Sequence, residues 1–387
     1  MAVNWRDVGD PLGGGAEQHL HHILSAAAAA GHRVDLVVSA YAGAPARDEI
    51  DGVQIHRHGP WQVANWVLPR VVRGLLRRAR RSGTPYDLLV EDINKIPFYT
   101  PLYRDGVPVL AVVPHLFGRT VFREASAPVA AYVHAAELLI PVVYRRCAFE
   151  VISPSTRDDL VARGIPAAQI RTVYCGLEHA RFALPEPPPR SGTPLLVTWS
   201  RLRRYKSVDV ALRAFARVRA ELPDARLEIM GRGPDERRLR RIAAELGLGG
   251  SVAFRGFLPW EDLVGVLHRA HVFLNPSPKE GWGLTVVEAN ACGLPVVASD
   301  APGLRDSVRD GLTGDLVPVD DDAAFAAAAL RLLRDPELWR RRSEAARRWA
   351  RVFQWRTCAE QSLAIFEAVA ARRPLPPIPD PTAEVSG

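Results

Sequence analysis

Two carboxylates flank a glycine-containing turn in the second half of the chain. Glu280 precedes Gly281 and Gly283, a helical stretch follows, and Glu288 lies a little over one turn inside that stretch. The first N–H groups of a helix have no intrahelical partner and carry the positive end of its dipole, so the turn predicts a phosphate site. The amides expected to face the phosphate are those of Gly283, Leu284 and Thr285.

The spacing of the two carboxylates indicates that they bind different groups. Glu280 and Glu288 are too far apart along the helix to serve one atom. Because carboxylates accept hydrogen bonds, each is a candidate acceptor for the hydroxyl groups of a separate polyol. The alternative is an ordinary helix cap and a solvated helix face.

The chain holds three lysines against a strong arginine bias: Lys95, Lys206 and Lys279. Where the chain has lysine in spite of this bias, we expect a position that needs the compact ammonium of lysine as a point charge. Lys206 follows Arg201 at the start of a helical stretch, where the alternative is a merely basic helix start. Two such cations can offset the charge on a leaving diphosphate in place of Mg²⁺.

Polar residues also follow apolar runs in the first half. The glycine turn of Gly13, Gly14 and Gly15 leads into a helix with Glu17 in its first turn, which is a generic phosphate cradle. His115 follows an apolar run and is either structural or part of a site. Asn94 and Lys95 follow another run, and are either acceptor-recognition residues or part of a charged loop without a role.

Short apolar runs alternate with helical stretches along the chain, which predicts two α/β units with parallel sheets. Strand-like runs in the first half are Val34–Val38, Val53–His56, Leu88–Val90, Val109–Val113, Phe149–Ser153 and Ile170–Tyr174, with helices over Ala16–Ala30 and Tyr132–Arg146. Those in the second half are Leu195–Thr198, Arg226–Met230, Val252–Phe254, Val272–Leu274 and Val296–Ala298.

A proline-rich break at 185–192 predicts a linker between a first domain over 1–184 and a second domain over 193–354. A helix over about 355–372 is expected to pack back on the first domain, and the residues after Arg373 are expected to be disordered. Two such domains predict a ligand cleft at the carboxyl ends of their sheets.

Composition bears on location and on metals. Apolar runs of about 18 residues and a secretory signal are missing, so we expect a cytoplasmic protein. The four cysteines show no CxxC or Cys/His pattern, and Asp320–Asp322 precedes an alanine-rich helix as a cap would, so we expect no metal. A net charge of +7 fits several partners; we expect no nucleic acid, and interpret Arg70–Arg81 as a solvated helix face or a contact with an anionic membrane.

The segment from Glu280 to Glu288 resembles the E-x7-E signature of retaining GT-B glycosyltransferases of family 4. Ser200-Arg201-Leu202 with Lys206-Ser207 is similar to the family's G-R-L…K-G element, with serine in place of both glycines. The resemblance implies that Glu280 contacts the donor sugar and Glu288 the nucleotide ribose. It also implies that Arg201 and Lys206 clamp the diphosphate.

Further loops match in the order that this family requires. The loops at 231–234 and 254–258 are implied to surround the base, through Gly233, Phe257 and Leu258. Gly14, Gly15 and Glu17 resemble the loop that touches the diphosphate and the acceptor, and His115 matches a histidine that contacts the donor sugar.

The resemblance therefore predicts a GT-B fold, in which two Rossmann-like domains face each other across a cleft. It predicts an enzyme of the hexosyltransferase type that moves a sugar from a nucleotide-diphosphate donor, UDP being favoured, to an unidentified hydroxyl acceptor. The configuration would be retained by front-face attack, without metal or cofactor. Two alternatives stay open: a catalytically silent nucleotide-sugar-binding partner protein, and a nucleotide-sugar hydrolase or epimerase.

Overall fold

Parallel strands build one sheet in each of two α/β units. The computed structural model describes residues 1–123, 125–183, 190 and 192–383. The first unit comprises Met1–Gly176 and Trp355–Pro379, and the second comprises Leu177–Gln354 with the tail from residue 380. The sequence-based prediction of two Rossmann-like α/β domains is confirmed.

The strands of the first unit are β1 (Ala2–Val3), β2 (Val34–Ala40), β3 (Arg47–Ile50), β4 (Val53–Pro60), β5 (Leu89–Asp92), β6 (Val109–Val113), β7 (Ala148–Val151) and β8 (Ile170–Thr172). Those of the second are β9 (Leu195–Trp199), β10 (Arg226–Met230), β11 (Val252–Gly256), β12 (Val272–Asn275), β13 (Val296–Ser299) and β14 (Gly314–Val317).

The helices of the described residues are α1 (Gly15–Ala29), α2 (Ala64–Arg81), α3 (Ala127–Leu138), α4 (Ile140–Val143), α5 (Pro154–Ala162), α6 (His179–Phe182), α7 (Val208–Glu221), α8 (Glu236–Glu245), α9 (Trp260–Arg269), α10 (Leu284–Ala291), α11 (Leu304–Ser307), α12 (Asp322–Arg334), α13 (Pro336–Ala350) and α14 (Trp355–Ala370).

The order of strands in each sheet creates one point where the chain reverses direction across the sheet. The first sheet runs β3-β4-β2-β1-β5-β6-β7-β8, and the second runs β11-β10-β9-β12-β13-β14. Reversal therefore occurs between β1 and β5 in the first unit and between β9 and β12 in the second. In open parallel sheets, ligands bind outside the carboxyl ends of the strands at such a switch point.

Apolar residues cover both faces of these sheets. All five residues of β6 are buried, as expected when helices pack on both sides of a parallel strand. In the second unit, Phe215 of α7 and Phe325 of α12 pack in one core with Leu196 of β9. The sheets are therefore rigid supports for the loops at their carboxyl ends.

Several elements differ from the sequence-based prediction. β3 and β14 were not predicted; β3 is the antiparallel edge strand paired with β4. The helix expected over Tyr132–Arg146 starts earlier and is divided into α3 and α4. Pro141 lies in the first turn of α4, where it lacks the N–H that would continue the bond pattern of α3.

The division between the units falls before the proline-rich stretch, most of which lies outside the described residues. Residues 177–183, expected in the first domain, belong to the second unit: Leu177 N–H donates to Phe353 O at 3.1 Å, and the Phe182 ring meets Trp260 at 4.8 Å. Part of the tail expected to be disordered is held in the first unit, because the Arg171 guanidinium donates to the carbonyls of residues 375 and 376.

Helix α14 belongs to the first unit, although the second unit separates it in sequence from the rest of that unit. Its Ile365 and Phe366 share a core with Leu20 and Ile23 of α1. The Trp355 ring stacks on His22, with ring centroids 3.9 Å apart. The C-terminal helix therefore stabilises the helix that begins at the glycine turn.

Candidate active site

The switch point of the second unit brings together two predicted site residues from distant parts of the sequence. Lys206 lies in the loop after β9, and Glu280 in the loop after β12, the strand paired with β9. Lys206 Nζ donates to Glu280 Oε1 at 2.5 Å. Both side chains are largely buried, with exposed fractions of 13% and 15%. The pair joins the two loops.

The electrostatics keep Lys206 charged. Burial by itself lowers the pKa of Lys206, but the Glu280 carboxylate and its hydrogen bond outweigh burial, and the pKa is raised above its usual value. The positive charge of Arg201 acts on Lys206 in the opposite direction, so the two cations share one region. A site with two permanent cations and one carboxylate favours an anionic ligand with attached hydroxyl groups.

Close backbone packing holds the Arg201 loop. Leu202 N–H donates to Arg232 O at 2.9 Å, and Asp235 N–H donates to Leu202 O at 3.0 Å. A Cβ on Gly233 would lie 2.2 Å from Leu202 O, which only glycine avoids. Gly233 therefore has a packing role that is independent of any ligand.

Helix α10 begins at the predicted turn. Gly283 precedes it at φ +92°, a left-handed conformation that favours glycine. The half-buried Leu284 and Thr285 form its first turn, where N–H groups have no intrahelical partner. Phe257, in the loop after β11, is 75% exposed, and the Leu258 that follows it is half-buried.

Glu288 lies one turn further along α10. Burial raises the pKa of its carboxyl to about 8. The group is therefore largely protonated at neutral pH, and can donate as well as accept a hydrogen bond.

The switch point of the first unit holds a second polar cluster. Asn4 follows β1, and Asn94 follows β5, the strand paired with β1. Asn94 Nδ2 donates to Asn4 Oδ1 at 3.0 Å and to Asp92 Oδ2 at 3.2 Å. Lys95 Nζ lies 3.4 Å from Glu17 Oε1. The predicted acceptor residues Glu17, Asn94 and Lys95 are therefore in one cluster.

Members of this cluster are buried to different degrees. Asn94 is buried and bonded within the protein, so its clearest role is to position its neighbours. Burial lowers the pKa of Lys95, against the effect of Glu17, and burial raises the pKa of Asp92 well above its usual range. Among the described residues, no group bonds Asp92 Oδ1. A buried, unsatisfied carboxyl oxygen is costly without a ligand, which makes Asp92 a candidate contact.

The glycine turn of the first unit is closed on itself. Gly14 N–H donates to Glu17 Oε2 at 2.8 Å, and Gly15 begins α1. One amide that the sequence predicted for a phosphate is thus engaged by Glu17, as in a capping box. A ligand at this amide would have to displace the Glu17 carboxylate.

His115 is held in a loop fixed from both sides. Thr156 Oγ1 donates to Pro114 O at 3.1 Å, and the buried Glu137 accepts from Phe117 N–H at 2.6 Å and Gly118 N–H at 2.8 Å. The His115 ring is half-buried and meets Phe117 edge-on, with centroids 4.9 Å apart.

Two buried carboxylates fix these loops, and sequence reasoning assigned that role to neither of them. Glu137 holds the His115 loop from within the apolar helix α3. Glu91 accepts from Phe98 N–H, Thr100 N–H and the Tyr144 hydroxyl, and so holds the loop after β5. For Glu137 the available signal was a lone carboxylate inside an apolar run, since such a charge is buried only with partners.

The described residues contain neither a group of metal ligands nor a membrane-spanning helix. Nowhere in them do three or more His, Cys, Asp or Glu side chains converge as metal ligands. Within the same residues, no helix has both the length and the apolar character needed to cross a bilayer.

Comparison with known proteins defines the class. The family model "Glycosyl transferases group 1" matches residues 181–349, and "Glycosyltransferase Family 4" matches residues 13–181. The two matched segments contain the switch point of the second unit and all the predicted site residues. The protein is a glycosyltransferase built from two Rossmann-like domains.

The chain belongs to the glycosyl transferases group 1 family. It is 30% identical over 398 residues to a glycogen synthase of Mycobacterium tuberculosis, covering 95% of this chain and 94% of that protein. It is 34% identical over 239 residues to a GDP-mannose-dependent alpha-(1-6)-phosphatidylinositol monomannoside mannosyltransferase of Mycolicibacterium smegmatis, covering 57% of this chain and 62% of that protein.

Solved structures show the same fold at lower identity. Sucrose-phosphate synthase from Thermosynechococcus elongatus superposes with a TM-score of 0.79 at 24% identity, over 96% of this chain and 99% of that one. HepE of Anabaena, in complex with UDP and glucose, superposes with a TM-score of 0.74 at 17% identity, over 96% of this chain and 99% of that one.

Proposed function

We propose that the protein transfers a sugar from a nucleotide-diphosphate donor to a hydroxyl acceptor, with retention of anomeric configuration and without a metal ion. The observation that carries the proposal is the 2.5 Å pair of Lys206 and Glu280, close to Arg201, at the switch point of the second unit. It combines cations for a diphosphate with a carboxylate for sugar hydroxyls.

The leaving group is the diphosphate. As the bond between the anomeric carbon and the phosphate oxygen breaks, its electron pair moves to that oxygen and negative charge builds there. Arg201, Lys206 and the first amides of α10 are fixed positive groups that stabilise such charge without reorganisation. They can do this work in place of Mg²⁺, so we expect activity to persist in EDTA.

The state of Glu280 favours front-face attack over a covalent intermediate. Its Oε1 is committed to Lys206, which weakens the carboxylate as a nucleophile and leaves Oε2 to accept a hydroxyl of the donor sugar. The acceptor hydroxyl oxygen then bonds the anomeric carbon on the face that the phosphate leaves. Its proton passes to the departing phosphate oxygen, so the step balances without a protein base.

Glu288 is proposed to bind the nucleotide ribose. With a pKa of about 8, its carboxyl is largely neutral at pH 7 and can donate to one ribose hydroxyl while accepting from the other. Phe257 offers an exposed ring on which a base can stack. UDP is our favoured nucleotide; the Anabaena neighbour was solved with UDP and glucose, whereas the mycolicibacterial relative is named for GDP-mannose.

The cluster in the first unit is proposed to recognise the acceptor. Asp92 Oδ1 is buried without a hydrogen-bond partner among the described residues, and Lys95 and Glu17 offer a cation and a carboxylate beside it. These groups suit an acceptor that presents several hydroxyls. His115 keeps the role that the family resemblance implies, as a contact of the donor sugar.

The decisive experiment is a thermal-shift panel of UDP-, GDP-, ADP- and dTDP-sugars on the wild type, Glu288→Ala and the control Glu245→Ala. A ligand at 100 times its Kd adds roughly 2.7 kcal/mol to stability. We expect one nucleotide to stabilise the wild type and Glu245→Ala, whose side chain is exposed on α8, but not Glu288→Ala. A panel without any shift would overturn donor binding and favour the silent-partner alternative.

The stereochemistry and the reaction type need product analysis. With the stabilising donor and an accepted acceptor, we expect a glycoside of the same anomeric configuration as the donor. An inverted product would refute front-face attack. Complete conversion of the donor to free sugar in the presence of acceptors would instead identify a hydrolase.

A further inference from the structure

A cavity of about 620 Å³ opens at the amino end of the first unit's sheet. It is lined by Val109 and Ala148, the first residues of β6 and β7. His115 follows the opposite, carboxyl end of β6, and a strand of that length spans roughly 16 Å. The cavity therefore lies at the other edge of the sheet from the predicted acceptor cluster, and the proposed reaction does not use it.

Cations dominate the lining of this cavity. Its arginines are Arg104, Arg145, Arg146, Arg372 and Arg373. They come from the loop before β6, the link between α4 and β7, and the residues just after α14. In the part of the chain that the structure describes, no carboxylate lines the cavity. Like charges in one cavity repel each other unless an anion binds between them, and the planar guanidinium is suited to phosphate.

Two of the arginines are held by backbone carbonyls. Arg104 donates to Val107 O at 3.1 Å, and Arg372 donates to Gly106 O at 2.8 Å. Asp105, the acidic neighbour of Arg104 in sequence, lies 3.5 Å from Arg80 and is not part of the lining. The positive charge of the cavity is thus positioned, with no acid among the lining residues to neutralise it.

Exposed apolar side chains adjoin the cations. Val142 of α4 lines the cavity and is 67% exposed, and Leu138 and Leu139, at the C-terminal end of α3, are 58% and 49% exposed. A soluble anion would leave these side chains in water. A membrane lipid would cover them with acyl chains while its phosphate meets the arginines.

We propose that this cavity binds the phosphate head group of an anionic lipid, and that Leu138, Leu139 and Val142 enter the membrane surface beside it. The inference does not depend on the donor, the acceptor or the stereochemistry of the reaction. It places the docking surface on α3 and α4, and away from the basic helix α2.

Helix α2 is the rival surface, since its exposed arginines suggested membrane contact from the sequence. Its Leu68, Val72 and Leu76 are buried in the core of the first unit, so the apolar stripe of the helix is not available to a bilayer. Trp61 and Trp66, at its N-terminal end, are exposed. Matched variants of the two surfaces are therefore expected to differ in their binding to anionic vesicles.

The test is co-sedimentation of the full chain with vesicles of phosphatidylcholine, alone or mixed with phosphatidylglycerol. The pocket variant is Arg145→Gln/Arg146→Gln, and the matched control is Arg77→Gln/Arg78→Gln, which removes the same charge from exposed positions of α2. Each basic residue at an anionic surface contributes about 1 kcal/mol, so we expect the pocket variant to lose roughly 30-fold in vesicle affinity. The control should bind as the wild type does.

Several results would overturn the proposal. The wild type could fail to bind the anionic vesicles, or the α2 variant could lose more vesicle affinity than the pocket variant. Equal losses of vesicle affinity in both variants would show a non-specific charge effect. Titration with inorganic tripolyphosphate distinguishes a lipid phosphate from a soluble one. If the wild type binds tripolyphosphate but not vesicles, and the pocket variant loses that binding, the cavity binds a soluble anion and the membrane proposal is refuted. Leu138→Ser/Leu139→Ser should weaken vesicle binding without lowering the Tm.

Discussion

Ser207 stands in place of a glycine in the family element that this segment resembles, and its own backbone is strained. It adopts φ +49°, the left-handed conformation, immediately before α7, and its side chain makes no capping bond to that helix. Such a conformation costs an L-residue roughly 1–2 kcal/mol. Ser207→Gly relieves this strain, but the added freedom of the unfolded chain offsets about 0.4–1 kcal/mol of the gain.

Ser200→Gly is the matched control. Ser200 also stands where the family has glycine, but its φ is not positive, so the substitution recovers no strain and carries the same unfolded-state cost. The difference in free energy of unfolding between the two variants therefore isolates the strain. We expect Ser207→Gly to be more stable than Ser200→Gly by about 1–2 kcal/mol.

The assay is equilibrium unfolding in guanidinium chloride, followed by tryptophan fluorescence. Trp199, at the end of β9, reports on the second unit and immediately precedes Ser200. Equal midpoints for the two variants, with equal denaturant dependence, would refute the reasoning. A more stable Ser200→Gly would show that the left-handed residue is not strained.

Three further predictions concern the second unit. Lys206→Gln should lower kcat/KM by about 10²–10³, the usual cost of removing one group that stabilises transition-state charge. Steady-state kinetics with the identified donor measure this, and a change in kcat/KM of less than threefold would contradict it. Folding raises the pKa of Glu288 from 4.5 to about 8, so the protonated carboxyl contributes stability that is present below pH 4.5 and is lost as pH rises through 8. The Tm of Glu288→Gln should therefore rise relative to the Tm of the wild type between pH 4 and pH 9. A difference in Tm that stays constant over this range would exclude the buried carboxyl. Gly233→Ala places a Cβ 2.2 Å from Leu202 O and should lower the free energy of unfolding in denaturant by about 1–3 kcal/mol. The control Gly249→Ala has open space around the new Cβ and should change that free energy by less than about 0.5 kcal/mol. Similar costs at both positions would argue against close packing at Gly233.

Much of the fold follows from local sequence patterns. The apolar runs predicted most strands to within a few residues, because a strand covered by helices on both faces must be apolar along its length. The edge strand Arg47–Ile50 was missed for the same reason: its alternating exposure leaves no continuous apolar run. The break after α3 depends on a single residue, Pro141, within an otherwise helical pattern.

The candidate site was predictable in kind, but not in its contacts. Glycine before a helix indicates free amides wherever the helix lies, so the helix N-terminus at Gly283 could be predicted locally as a candidate phosphate site. The pKa of Glu288 could not, because it depends on burial by residues from other elements. The same holds for Glu91 and Glu137, whose loop-fixing bonds reach residues seven to 53 positions away.

The sequence by itself determined the two α/β units, the helix N-terminus that follows Gly283, and the residue types of the candidate site, because each follows from the chemistry of neighbouring residues. Only the tertiary structure decided that Lys206 meets Glu280, 74 positions away, that Lys95 meets Glu17, 78 positions away, and that arginines from 104 to 373 line one cavity. These contacts depend on which strands are neighbours in the sheets, and periodicity along a chain carries no record of strand order.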